Sequence, residues 1–175
     1  MTNSDRQDNL TAAEVGHKVY ICLNGRGSFR ISPALKTFIK QKIENPALTH
    51  IYLNMSGCEG MDSTFMGVLA GVACLIKARP QLTFQLTHLS KKNQDLLITL
   101  GVDRVLDYHL ASDPENPEPD PEPQLELSIK TNTKITAETS LEAHQKLADI
   151  DVKNRLEFKS VIELLQADLD QLNGA

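Results

Sequence analysis

Stretches of β-forming residues alternate with stretches of helix-forming residues between positions 17 and 110, and this order constrains the fold more than any other feature of the chain. Residues 18–24, 49–55 and 82–87 are rich in Val, Ile, Leu, Tyr, Phe and Thr, and each stretch is followed by a glycine or a polar residue. A stretch with helical periodicity comes after each of them. Strands joined through helices form βα units with a largely parallel sheet. We therefore predict an α/β domain over residues 17–111, with helices packed on a mixed, largely parallel sheet.

The helix predicted for residues 63–77 is apolar on nearly every side, so most of its surface must be buried. It is therefore expected to lie flat on the sheet. Gly67, Gly71 and Cys74 fall on one narrow face of this helix. Each glycine in a helix interior costs about 1 kcal/mol relative to alanine. A close approach of the helix backbone to the sheet is the expected reason for these glycines.

A proline-rich acidic segment divides the chain. Residues 112–123 hold five of the eight prolines and five acidic residues, and such a segment cannot form a packed core. We predict that it is a semi-rigid linker to a mainly helical C-terminal extension at residues 124–175, and that residues 1–16 are a flexible N-terminus. The net charge changes from +3 over residues 1–111 to −8 over residues 112–175.

Composition and spacing argue against several classes of function. The chain has no Trp, 5% aromatic residues and an acidic second half, which argues against binding of nucleic acid. Its five histidines never occur at metal-ligand spacing, and its three cysteines form no Cys-x-x-Cys pair. Without a nucleotide-binding or nucleophile motif, we expect no catalytic residue, no metal and no cofactor, and hence no enzyme. The polar start and the short apolar runs predict a cytoplasmic protein with no membrane segment.

Residues 55–67, with the sequence Met-Ser-Gly-Cys-Glu-Gly-Met-Asp-Ser-Thr-Phe-Met-Gly, are the most informative part of the chain. A loop with two glycines is expected at residues 56–62, and Asp62 is well suited to cap the helix that follows. Capping places Ser63 and Thr64 in the first helical turn with their hydroxyls near solvent. On these residues alone, the Asp-Ser-Thr triplet is either a helix cap or a functional site.

The order of a strand, Met-Asp-Ser-Ser/Thr and an apolar helix with small residues resembles the STAS domain of bacterial anti-sigma-factor antagonists. The Leu-Asn-Met-Ser at residues 53–56 is similar to the family's Leu-Asp/Asn-Leu-Ser strand. The Leu-Gly-Val-Asp at residues 100–103 is similar to the family's close after its last leucine-rich helix. The resemblance covers about residues 17–110 and does not include the C-terminal extension. It implies a STAS-like fold.

The resemblance further implies that Thr64 is the hydroxyl residue that a cognate kinase phosphorylates, with Ser63 as the alternative. The kinase is typically the anti-sigma factor itself, a serine/threonine kinase with the histidine-kinase-type ATPase fold, and a metal-dependent serine/threonine phosphatase is the second implied partner. The family usually has Gly after the acceptor, where this chain has Phe65. The residues expected to contact a partner protein are Gly25, Arg26, Gly60, Met61, Asp62, Ser63, Thr64 and Phe65.

Three hypotheses for the function remain open. In the first, the chain is a partner-switching regulator whose unmodified form binds the anti-sigma kinase and frees a sigma factor. In the second, it is a STAS scaffold that assembles with other proteins and is never phosphorylated, which Phe65 and the appended helices favour. In the third, it is an enzyme or a small-ligand binder that uses the loop of residues 56–62.

The C-terminal extension carries an apolar helical stripe that must be covered. Behind a predicted helix cap at Asp151, the stripe consists of Phe158, Ile162, Leu165, Leu169 and Leu172. It packs either within its own chain or between the subunits of a homo-oligomer. The opposite net charges of the two parts of the chain favour docking on the main domain. We expect the extension to modulate access to Thr64.

Overall fold

Six strands form one mixed sheet in the computed structural model, which describes residues 7–117, 119–130 and 132–175. The strands are β1 (Asn9–Val15), β2 (Lys18–Gly27), β3 (His50–Met61), β4 (Thr83–Leu89), β5 (Asp107–Leu110) and β6 (Leu125–Glu126), and the helices are α1 (Ser32–Lys42), α2 (Ser63–Lys77), α3 (Lys91–Thr99), α4 (Thr133–Ile150), α5 (Val152–Glu157) and α6 (Lys159–Asn173). Their order across the sheet is β5–β4–β3–β2–β1–β6. Strands β2 to β5 are parallel, whereas β1 runs antiparallel to both of its neighbours. The predicted α/β fold with a largely parallel sheet and C-terminal helices is confirmed.

Strand β1 corrects the prediction of a flexible N-terminus over residues 1–16. It pairs antiparallel with β2, from Asn9 opposite Asn24 to Val15 opposite Lys18. Alternate side chains of a strand point to the same face of the sheet. On the inner face of β1, Leu10 is completely buried. The first six residues of that predicted N-terminus lie outside the described part of the chain.

Strand β3 continues through the segment that the sequence predicts as a loop. Its pairing with β2 extends to its last residue and shifts register twice, between Cys22 and Asn24 and between Gly25 and Arg26. Such shifts are β-bulges, in which a strand bends while the pairing continues on either side. The glycines of residues 56–62 therefore belong to an irregular strand, and the prediction of a loop there is wrong.

Helix α3 has residues suited to its two ends. The Ser90 hydroxyl accepts a hydrogen bond from the Asn93 N–H at 3.1 Å and so caps the first turn. Gly101 follows the helix with a φ of +72°, a conformation that glycine adopts without a steric penalty. A short 3-10 turn at Val102–Arg104 then leads into β5.

The proline-rich segment runs across the face of the sheet that carries Cys22 and Asn54. Asp120 accepts a hydrogen bond there from the Asn54 side chain at 2.7 Å and one from the Cys22 thiol at 3.7 Å. Burial and the nearby Asp120 carboxylate raise the pKa of Cys22 to about 11, so this thiol stays protonated and able to donate. The described part of residues 112–123 has no helix or strand, but it is fastened to the sheet. The division of the chain into two domains by this segment stays a prediction.

The C-terminal extension packs on the main domain. Leu147 is fully buried and Phe158 nearly so, in the same core as the sheet. The buried side chain of Asn154 donates to the backbone carbonyls of Leu100 and Leu147, each at 2.9 Å. This amide therefore joins the end of α3 to α4 and α5. Within the predicted stripe, Phe158 and Leu169 are buried in their own chain, whereas Leu172 is 43% exposed.

Two ion pairs join a basic residue of the main domain to an acidic residue of the extension, as the opposite net charges of these two parts of the chain suggest. Lys36 of α1 pairs with Glu142 of α4, and Arg104 pairs with Asp151 at 2.5 Å. Asp151 also accepts from the Lys153 N–H at 2.9 Å, which confirms it as the cap of α5. The basic partner belongs to the main domain in both pairs, so charge contributes to the docking of the extension.

Helix α2 is buried on nearly every side, and its glycine face lies against α4 instead of the sheet. A Cβ atom at Gly67 would lie 2.4 Å from the Ala143 carbonyl oxygen and 2.7 Å from the Ala143 Cβ. Gly71, one turn further, has nothing within 4 Å of its Cβ position and opens on a cleft of about 220 Å³ between α1, α2 and α4. The predicted close approach therefore occurs at Gly67 alone, with α4 as the neighbour. Although α2 is strongly apolar, none of the helices in the described residues has the length and apolarity needed to span a membrane.

Alanine substitutions at the two glycines are expected to change stability in opposite directions. Gly71→Ala should raise the free energy of unfolding by up to about 1 kcal/mol, because alanine is the better helix former and its methyl group has space. Gly67→Ala should lower the free energy of unfolding by about 1–3 kcal/mol, because its methyl group overlaps the α4 backbone. Chemical denaturation of the full chain measures both. Similar effects at the two positions would contradict the close contact between α2 and α4.

Candidate functional site

Two parallel strands end side by side where helix α2 begins. In the register of β2 and β3, Gly25 lies opposite Cys58 and Arg26 lies opposite Gly60. The carboxyl ends of parallel strands meet at one edge of a sheet, so the residues predicted for partner binding from both strands lie together. The chain leaves this edge at Asp62 and enters α2.

The carboxylate of Asp62 holds together the chain segments that meet at this edge of the sheet. Its Oδ1 accepts from the N–H of Phe65 at 2.9 Å, which caps α2 as predicted, and its Oδ2 accepts from the N–H of Phe29 at 2.7 Å. The N–H of Asp62 donates in turn to the carbonyl of Gly27 at 2.9 Å. Hydrogen bonds to a charged group contribute about 1.5–3 kcal/mol each. Asp62 therefore joins the start of α2 to the segment between β2 and α1.

The hydroxyl of Ser63 is paired with a histidine of the C-terminal extension. Ser63 Oγ lies 2.9 Å from Nε2 of His144, and Nδ1 of the same ring lies 2.7 Å from the carbonyl oxygen of Ser140. Because a carbonyl only accepts, Nδ1 carries the proton, and in the neutral ring Nε2 accepts from the Ser63 hydroxyl. His144 is buried and meets Phe158 edge-on, with 5.0 Å between ring centroids. These contacts hold the imidazole in one orientation.

Thr64, the predicted phosphoacceptor, lies beneath α4. The residue is 5% exposed, and its Oγ1 donates to Ser140 Oγ at 3.3 Å. The expectation that both hydroxyls lie near solvent is therefore wrong for Thr64, and Ser63 is only partly exposed. Ser140 is 76 residues away in the sequence, so no local pattern could reveal this contact.

The side chains of Met61 and Phe65 lie in the core, which corrects the expectation that they contact a partner. Phe65 is fully buried against Gly27, where a Cβ atom would come within 2.6 Å of the ring carbon Cδ1. Met61 is buried as well. Of the predicted partner-binding residues, those that keep accessible surface are Gly25, Arg26, Gly60, Asp62 and Ser63.

Phe29 adjoins the site, although the sequence patterns do not single it out. It is 48% exposed, and its N–H is bound to the Asp62 carboxylate. Arg26 and Arg30 are exposed on the same segment. A Phe between a strand end and a helix start, flanked by arginines, is a usable signal, because aromatic residues and Arg are enriched in protein interfaces. Together these residues form an apolar and basic surface beside Asp62.

Two other sites carry side chains that could bind a metal ion or act as a nucleophile. Hydrogen bonds within the first site and burial of the second explain these side chains without such a role. In the described residues, His109, Asp113 and Glu115 could converge on a metal ion. Asp113 already accepts from the Glu115 N–H at 2.9 Å and from His109 at 3.1 Å, and these bonds lower the pKa of Asp113. Burial raises the pKa of the Cys58 thiol, which makes this cysteine a poor nucleophile.

No protein-family model matches this sequence, and no curated protein is significantly similar to it. Solved structures do match the fold. An anti-sigma factor antagonist from Mycobacterium paratuberculosis is 13% identical, with a TM-score of 0.52 over 62% of this chain and 90% of its own. A Thermotoga maritima protein assigned as an anti-sigma factor antagonist is 22% identical, with a TM-score of 0.50 over 58% of this chain and 86% of its own. At these identities the likeness establishes the fold, and the chain therefore has the STAS-like fold of these anti-sigma factor antagonists.

Proposed function

We propose that this chain is an anti-sigma-factor antagonist, a protein that binds an anti-sigma factor and thereby frees a sigma factor. The observation that supports this most directly is the position of Asp62, Ser63 and Thr64 at the carboxyl edge of the parallel strands of a STAS-like fold. Proteins with this fold include the anti-sigma factor antagonists named above. In this proposal the chain acts by binding and catalyses no reaction.

Phosphorylation of Thr64, or alternatively of Ser63, is proposed to control this binding. Both residues lie in the first turn of α2. The helix dipole favours a negative group there by about 0.3–1 kcal/mol. A phosphate adds a charge of about −1.5 to −2 and three acceptor oxygens. The modification should therefore leave the sheet domain folded and change the surface that a partner meets.

The proposed partners are an anti-sigma factor that is itself a serine/threonine kinase with the histidine-kinase-type ATPase fold, and a metal-dependent serine/threonine phosphatase. The unmodified edge offers the ring of Phe29 and the charges of Arg26 and Arg30 to the kinase. A phosphate on the same edge would clash with a docked kinase or with the nucleotide that it holds. Binding and modification would therefore alternate.

A scaffold role without phosphorylation is the second candidate, and the burial of Thr64 favours it. A hydroxyl that is 5% exposed and bound to Ser140 cannot enter a kinase active site while α4 is in place. In that role the edge around Phe29 would bind its partner without being switched by phosphorylation. The two candidates differ in one observable, the transfer of a phosphoryl group to the first turn of α2.

Phosphoryl transfer to the full chain distinguishes these candidates. Incubation with ATP and the candidate anti-sigma kinase should add one phosphoryl group, which intact mass spectrometry detects. Thr64→Val should abolish the transfer because it removes the hydroxyl and keeps the branched shape, whereas the control Ser63→Ala should retain it. Loss of transfer in the Ser63→Ala protein alone would show that Ser63, and not Thr64, is the phosphoacceptor. No transfer to a protein that still binds the kinase would support the scaffold role.

The exposed ring of Phe29 is expected to anchor the partner. Phe29→Ala should weaken binding of the anti-sigma factor by about tenfold or more, because loss of an aromatic anchor commonly costs about 1.4 kcal/mol or more. Val15→Ala is the control, since Val15 is 51% exposed and pairs with Lys18 at the start of β2, at the opposite end of the strand from Phe29. Isothermal titration calorimetry measures both affinities. An unchanged affinity of the Phe29→Ala protein would show that the partner docks elsewhere.

A further inference from the structure

Helix α4 occupies the face of α2 that carries the candidate phosphoacceptors. Ser140 lies 3.3 Å from the Thr64 hydroxyl, and His144 lies 2.9 Å from the Ser63 hydroxyl. At Gly67, one turn further along α2, the α4 backbone is so close that a Cβ atom would lie 2.4 Å from a carbonyl oxygen. The extension therefore lies directly on the face of α2 that carries Thr64 and Gly67.

A phosphoryl group on Thr64 has no room while α4 is docked. Thr64 is 5% exposed, and its hydroxyl oxygen already lies at hydrogen-bond distance from Ser140. In the described residues, the side chains that contact the two hydroxyls are those of Ser140 and His144, and neither carries a permanent charge. Burial of a dianion without a paired cation is strongly unfavourable. The docked α4 and a phosphorylated Thr64 therefore exclude each other.

Several features of the interface between α4 and the main domain would allow α4 to detach. Its buried surface combines the polar side chains of Ser140 and His144 with the apolar side chains of Ala143 and Leu147. The ion pair between Lys36 and Glu142 lies at its exposed margin, where such pairs contribute little to stability. The cleft beside Gly71 leaves part of the interface unfilled. Interfaces within a chain that contain polar groups and unfilled space permit relative motion more readily than large, wholly apolar ones.

We propose that α4 is an autoinhibitory cover that must leave α2 before Thr64 or Ser63 can be modified. The modification then keeps α4 away, because coupling between two events that exclude each other is reciprocal. If the closed form outnumbers the open form by about 100 to one, modification is slowed roughly 100-fold, since only the open fraction reacts. The modification chemistry rests on the proposed function, whereas the competition for this face of α2 does not.

The Thr64→Cys substitution reports on the opening of α4 without a kinase. In the full chain, alkylation by N-ethylmaleimide, quantified in the peptide that contains position 64, should be slow because α4 covers the site. Addition of Gly67→Ala, which places a methyl group against the Ala143 backbone, should speed this alkylation by about tenfold or more. Gly71→Ala is the matched control in the same helix and should leave the rate unchanged, because its methyl group meets open space.

Cys58 of β3 serves as the internal reference, since it is buried in the core. Unchanged alkylation at position 64 in the Gly67→Ala protein would overturn the proposal. Equal acceleration at Cys58 would overturn it as well, because α4 would then leave α2 only when the whole domain unfolds.

Hydrogen exchange of the alkylated chain tests the mutual exclusion. The adduct at position 64 needs the space that α4 occupies, and a lone helix is marginally stable in water. The α4 amides should therefore exchange about tenfold faster or more after alkylation, while the β3 amides keep their protection. Unchanged exchange in α4 would refute the exclusion. These alkylation and exchange measurements use neither kinase nor ATP. A failure of phosphoryl transfer would therefore count against the proposed function alone. A negative result in the alkylation or exchange measurements would count only against the proposal that α4 covers the site.

Discussion

Helix α2 is apolar on nearly every side, and the surrounding structure follows from the need to bury it. The sheet covers one side, and α4 covers the other with its backbone against Gly67. A helix that is hydrophobic all round cannot face water, so the chain must supply a second cover, and the C-terminal extension is that cover. Ser63 and Thr64 lie in the first turn of the same helix. The contact that stabilises α2 therefore also hides the hydroxyls that the proposed function requires.

Asp62 divides the site into an open part and a covered part. Its carboxylate holds the N–H of Phe29 on one side and caps α2 on the other, so the two segments are fixed relative to each other. The exposed ring of Phe29 belongs to the open part. Ser63 and Thr64 belong to the part beneath α4. In the proposed function, a partner docked on the open part would therefore reach Thr64 only after α4 is displaced.

Features of the main domain that depend on neighbouring residues could be predicted from the sequence, and those that depend on distant contacts could not. The βα alternation and the cap at Asp62 are local, and the structure confirms them. Strand β1 escapes prediction because its Asn, Ala and Glu residues are weak strand formers and its order comes from pairing with β2. The burial of Thr64 depends on Ser140, 76 residues away. An apolar helical stripe or a glycine such as Gly67 shows that a surface needs a neighbour, but it does not say which one.

The contact between Ser63 and His144 offers the most direct test of the covered site. In the full chain with 15N-labelled histidine, NMR should show His144 fixed in the tautomer that carries its proton on Nδ1, because Nδ1 faces the Ser140 carbonyl oxygen. Nuclear Overhauser effects should connect the same ring to the Ser63 side chain, whose oxygen lies 2.9 Å from Nε2. A ring that exchanges rapidly between tautomers and shows no such effect to Ser63 would mean that α4 does not rest on the first turn of α2. That result would contradict the coupling of the extension to the site.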